Sequence, residues 1–168
     1  MGFELFLLIA SISPVFTALV PHWAHSILGL SLLFPALVLE SKGDFESIAG
    51  SLAKKGVRAQ APAAIVGKSG VKHEFAFAVV PESGNPKVVV DTELSVKDVD
   101  EMKVLKFYVK VFDVSPEKAV LCVTPRLGER ASTLAKEYGI VVLENDTPRK
   151  LIPMAAQVVN GVLGTGRG

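Results

Sequence analysis

Lys87-Val88-Val89-Val90-Asp91-Thr92-Glu93-Leu94 is the stretch that decides the fold. Rich in valine and bounded by turn residues, it predicts a strand well buried in a sheet. Downstream, Ser95 or Asp98 starts a helix whose Val99, Met102, Leu105, Val109 and Phe112 form one apolar face, up to a break at Asp113 to Pro116. Lys118 to Thr124 predicts a second buried strand, Leu127 to Tyr138 a helix closed by Gly139, and Ile140 to Leu143 a further strand. Thr147-Pro148 opens a last helical segment reaching about Leu163, kinked or delayed by Pro153. Upstream, Asp44 caps a helix in which Phe45, Ile48 and Leu52 recur on one face. Val57 to Ala61 and Ala64 to Val66 predict a strand interrupted by Pro62, and Gly67-Lys68-Ser69-Gly70 turns into a strand from Val71 to Val80. The order of elements predicts an α/β fold, a mixed β-sheet sandwiched by helices, over residues 41–163 with a loose tail at 164–168.

Ahead of that domain the composition changes. Leu5 to Leu39 contains no Asp, Glu, Lys or Arg, and all 18 Lys and Arg fall in residues 42–168, against 15 of the 17 acids. One helix of that length would extend roughly 52 Å, well past a hydrocarbon core of ~30 Å. Two short spans fit better, Gly2 to Val20 and Ser26 to Leu39, with Val20 to His25 as the turn and Trp23 at the interface. Residues 1–40 are therefore expected to be a transmembrane helical hairpin. The basic residues from Lys42 onward then place the soluble domain on the cytoplasmic side of the cell membrane. Buried helices of a soluble core, broken at Pro14, Pro21 and Pro35, are the competing reading. A cleaved signal peptide does not fit, because no cationic region precedes the apolar run.

The element order, with Gly67-Lys68-Ser69-Gly70-Val71-Lys72-His73-Glu74-Phe75 before one strand and Val88-Val89-Val90-Asp91-Thr92-Glu93 on the next, resembles the restriction-endonuclease-like, PD-(D/E)XK, superfamily, and within it poorly characterised archaeal members. The resemblance covers about residues 44 to 145, including Ala135-Lys136-Glu137-Tyr138-Gly139-Ile140-Val141-Val142. It implies a divalent metal held by acids on two neighbouring strands, with a lysine orienting water for phosphodiester hydrolysis. Hard Mg²⁺ requires carboxylate oxygens, and the developing charge requires a nearby cation. This chain departs from that pattern twice. Ala76 stands where the first acid is expected, and Glu93 where the lysine is expected. The residues left to make a site are Glu46, Glu74, Asp91 and Glu93, with Asp91 and Glu93 as the metal ligands. Glu74 shares a strand face with Ala76 but sits roughly 6.6 Å along the chain from it.

Lys103, Lys106 and Lys110 form one helical stripe with Lys97 just upstream, a pattern that can meet nucleic-acid phosphates. Asp98, Asp100 and Glu101 stand beside it, and an ordinary solvated helix face carries the same pattern. Gly67-Lys68-Ser69 is not the end of a P-loop, since the leading glycine of that motif would fall at Pro62 and a strand follows instead of a helix. No nucleotide partner is expected. His73 reads as a structural histidine, and Cys122 as a buried, inert thiol.

These readings converge on a membrane-anchored domain of nuclease-like fold with a degenerate catalytic site, acting as a binding or scaffold module and a subunit of a membrane complex. Membrane lipids and membrane proteins are its expected partners, packing against Ser11, Ser13, Thr17 and Ser31. It needs no cofactor in that role. The alternatives are a Mg²⁺-dependent nuclease, with Lys97 or the lysine stripe replacing the missing motif lysine, and a non-catalytic nucleic-acid-binding protein.

Overall fold

A computed structural model describes residues 44–82 and 84–165. Residues 44–53 form helix α1. Strands β1 (Ala59–Gln60), β2 (Ala63–Val66), β3 (Lys72–Phe75), β4 (Phe77–Val79) and β5 (Val88–Leu94) follow. Helix α2 (Glu101–Val114), strand β6 (Lys118–Thr124), helix α3 (Glu129–Glu137), strand β7 (Val141–Glu144) and helix α4 (Pro148–Thr165) complete the chain.

The five-stranded sheet runs β1-β4-β5-β6-β7. β1, β4 and β5 pair antiparallel, while β5, β6 and β7 pair parallel, so the sheet is mixed. Each parallel step needs a crossover, and α2 and α3 supply the two of them. The period of two in the strands sorts the apolar run between two layers. Val89, Ala119, Leu121 and Val123 pack with Val104 and Phe107 of α2 and Ala131 and Ala135 of α3. Val88, Val90, Val120 and Cys122 pack with Phe45 of α1 and Leu151, Ala155 and Val159 of α4. Val88, Val89 and Val90 are fully buried, which is what their β-branched run predicts.

The two long strands expected upstream are each divided between two sheets. β2 and β3 leave the main sheet as a separate antiparallel hairpin, pairing Ala63 with Phe75 and Val66 with Lys72. Pro62, which offers no N–H to a ladder, sits between β1 and β2, and Ala76 between β3 and β4. α2 starts later than either expected cap. Asp100 is the N-cap, its side chain accepting from the Lys103 amide. α4 begins at Pro148 and runs through Pro153.

The face that α2 buries is also not the expected one. Val104, Phe107 and Val114 are its buried residues, while Met102, Leu105, Val109 and Phe112 lie in solvent. The helix carries two apolar stripes, and periodicity alone does not rank them.

The expected transmembrane hairpin is corrected. Among the described residues no helix is long and apolar enough to cross a membrane. The longest, α4, lays Leu151, Ala155 and Val159 on the sheet and keeps Gln157 and Asn160 in water. The expectation fell on residues 1–40, which lie outside the described residues. The fold class is α/β, a mixed sheet between two helical layers.

Candidate functional site

Past Val90, strand β5 changes from buried valine to the half-buried Asp91-Thr92-Glu93. Asp91 and Glu93 alternate with Thr92, so both turn toward α2, the layer that Val89 also faces. There each meets a lysine. Lys110 Nζ donates to Asp91 Oδ2 at 2.5 Å and to the Glu74 carbonyl at 2.6 Å. It also lies 4.9 Å from the centre of the Phe75 ring, a cation–π distance. Lys103 Nζ donates to Glu93 Oε1 at 2.5 Å. The hydrogen bond to Glu93 and its charge raise the Lys103 pKa, so that lysine is fixed as a cation.

The Asp91–Lys110 pair borders two hollows. One, of about 420 Å³, is lined by Phe45, Ala63, Glu74, Phe75, Ala76, Asp91 and Lys110 among others. The other, of about 260 Å³, is lined by Asp91, Glu93, Lys103, Lys106 and Lys110 against Phe107 and Leu121. Asp91 and Lys110 line both. Glu74 and Asp91 thus share one hollow, and Asp91 and Glu93 share the other. Glu46 is on the exposed face of α1, in a third hollow with Ala49, Gly50 and Gln60. Lys97 is exposed in the loop before α2, where its amide bonds Ser95 Oγ. Of the four candidate lysines, the structure brings together the three of the stripe, Lys103, Lys106 and Lys110.

The donor set does not suit a hard divalent cation. Among the described residues no group of three or more His, Cys, Asp or Glu side chains is placed to hold a metal ion. Each β5 carboxylate instead takes its countercharge from a lysine, and Ala76 lines the Asp91 hollow with a methyl group. Cys122, on β6 beside Thr92, is fully buried. Burial, with a further contribution from the Asp91 charge, pushes its thiol up to about 12, so it is no nucleophile.

A second polar cluster was not legible in the sequence. Asp113, in the last turn of α2, accepts from Ser69 Oγ at 2.6 Å, from the Ser69 amide at 2.8 Å and from His73 Nε2 at 2.7 Å. The Lys68 amide bonds the Asp113 carbonyl at 3.0 Å, and Lys68 Nζ bonds Ser115 Oγ at 2.6 Å. This clamp fastens the tip of the β2–β3 hairpin to the end of α2. His73 is structural, as expected, but its partner lies 40 residues away, which no local spacing announces.

The Ser69 hydroxyl, then His73, then the Ser69 amide hold the Asp113 carboxyl down at about 2, from an ordinary 3.8. A depressed carboxylate contributes stability above its unfolded pKa and loses it as pH falls toward the folded value. The urea midpoint of the domain is therefore expected to fall between about pH 4 and pH 2, and less steeply in Asp113→Asn. Equal slopes for the two proteins would show that the clamp does not hold the carboxylate ionised.

No family model matches the chain, and no curated protein matches it. Among solved structures it is similar to that of an archaeal protein of unknown function, AF1548, with 15% sequence identity and a TM-score of 0.45. The similarity covers 59% of this chain and 56% of that one, so the chain spans little more than half the length of the protein it matches.

Proposed function

We propose that the domain is a binding or scaffold module of restriction-endonuclease-like descent whose catalytic site is degenerate. The observation that carries this reading is the pairing of Asp91 with Lys110 and of Glu93 with Lys103. A metal nuclease needs carboxylates whose charge is free to converge on the ion. Here the acids on β5 bind the domain's own helix, and they do so across the layer boundary between sheet and α2. Their role on this reading is to tie α2 to the sheet. Two of the three lysines in the stripe are engaged in the same pairs, which also weakens the case for a phosphate-binding row.

Calorimetric titration with Mg²⁺ and Mn²⁺, together with incubation on DNA and RNA, tests the reading. The expected result is no saturable heat and no cleavage from a folded protein. Saturable binding that disappears in Asp91→Ala, accompanied by phosphodiester hydrolysis, would overturn it in favour of a Mg²⁺-dependent nuclease. Nucleic-acid binding without cleavage, weakening with salt and with Lys106→Ala, would instead identify a non-catalytic nucleic-acid module.

A further inference from the structure

Helix α2 leaves four large apolar side chains in water. Met102 and Val109 are each 56% exposed, Phe112 is 70% exposed and Leu105 is 36% exposed. A concentrated exposed apolar patch marks an interaction surface more often than scattered single residues do. The four are spaced three, four and three residues apart, the a-d-a-d phase of a heptad whose seam faces another helix. In that phase Val104 and Val111 are c positions, and Phe107 and Val114 are f positions. These are the residues that pack into the domain's own core. The c and f side of α2 is thus covered by its own domain, while the a and d side faces outward.

The flanking charges identify what covers that side. With Met102 at a, Glu101 is a g position and Lys106 an e position. In a parallel helix pair, a g residue meets the e residue five positions on in the partner, so Glu101 of one copy meets Lys106 of the other. Twofold symmetry makes that contact twice. Among the described residues neither Glu101 nor Lys106 takes part in an ion pair. An antiparallel pair on the same seam, with Met102 against Phe112 and Leu105 against Val109, places the two Lys106 side chains beside each other, and like charges in contact are penalised. We infer that α2 is the seam of a homodimer, two copies of this chain packed parallel through Met102, Leu105, Val109 and Phe112, with register set by Glu101 and Lys106.

A cysteine at a d position tests this on the full chain, because d residues of a parallel pair face their own counterparts. Leu105→Cys is expected to give a disulfide-linked dimer on mild oxidation with copper phenanthroline. Val96→Cys, also on the surface but off the seam, is expected to give none, and the native Cys122 is buried. Adding Lys106→Glu to Leu105→Cys is expected to lower the captured fraction at least about threefold, and adding Glu101→Lys to that variant to restore most of it. Circular dichroism verifies that each variant is folded. Absence of capture overturns the inference and leaves the stripe to another occupant, as does capture insensitive to both charge reversals. Preferential linkage of position 105 to a cysteine at position 109 would overturn the parallel arrangement.

Discussion

Phe77→Ala is expected to destabilise the domain by about 3–5 kcal/mol, the range for removing a buried aromatic side chain. Phe77 has 0% exposure, and its ring stacks on Phe45 with centroids 6.0 Å apart. It stands on β4, which pairs antiparallel with both β1 and β5, and Phe45 is the aromatic side chain that α1 contributes to that layer beside Ala49 and Leu52. Losing the ring removes apolar burial and leaves a cavity that the flanking Val79, Val88 and Val90 are too constrained by the sheet to fill. Against a total stability of about 5–15 kcal/mol for a domain, that is a large fraction. Urea denaturation followed by circular dichroism measures it, with Val96→Ala, at a 76% exposed position, as a control expected within about 0.5 kcal/mol of the parent. A loss below about 1.5 kcal/mol for Phe77→Ala would mean that the layer closes around the gap and that Phe77 is not its centre.

Gly67→Ala is the second large effect, for a different reason. A Cβ at Gly67 would lie 2.0 Å from Asp113 Oδ2 and 2.3 Å from Asp113 Cγ. No rotation of the methyl relieves that, so Asp113 has to leave the position in which it receives Ser69 and His73. The urea midpoint is expected to fall, because the displaced carboxylate gives up its hydrogen bonds from Ser69 and His73. It should come with a change in pH response, since a displaced Asp113 titrates as an ordinary carboxylate and its stabilisation no longer fades between about pH 4 and pH 2. Gly70 is the instructive comparison. It has φ 82°, and a methyl added there would meet nothing within 4 Å, so Gly70→Ala costs only backbone strain of about 1–2 kcal/mol and leaves the pH response intact. An unchanged acid limb in Gly67→Ala would show that Asp113 keeps its partners despite the methyl.

The two substitutions differ in how far the sequence exposes them. Phe77 lies in a stretch whose strand character was legible, and its burial follows once the strand is placed in the middle of a sheet. Gly67 was legible only as a turn residue. Its real requirement is space for Asp113, set by a helix end 46 residues later in the chain. The candidate site divides in the same way. Asp91 and Glu93 were identifiable as same-face carboxylates from their alternation, and Lys103, Lys106 and Lys110 as one helical row. Nothing in either spacing said that the row would close onto the carboxylates and neutralise two of them.

The sequence by itself determined the alternation of helices and strands, the buried valine run of β5 and the position of the polar break after Val90, because these depend on short-range periodicity and side-chain branching. Only the tertiary structure decided that β2 and β3 would leave the main sheet, that Asp113 would clamp the hairpin, and that α2 would bury Val104 and Phe107 while leaving Met102, Leu105, Val109 and Phe112 in water. Both stripes of α2 satisfy helical spacing equally well. The choice between them is made by which side the crossover from β5 to β6 turns toward the sheet, a constraint imposed by residues distant in sequence.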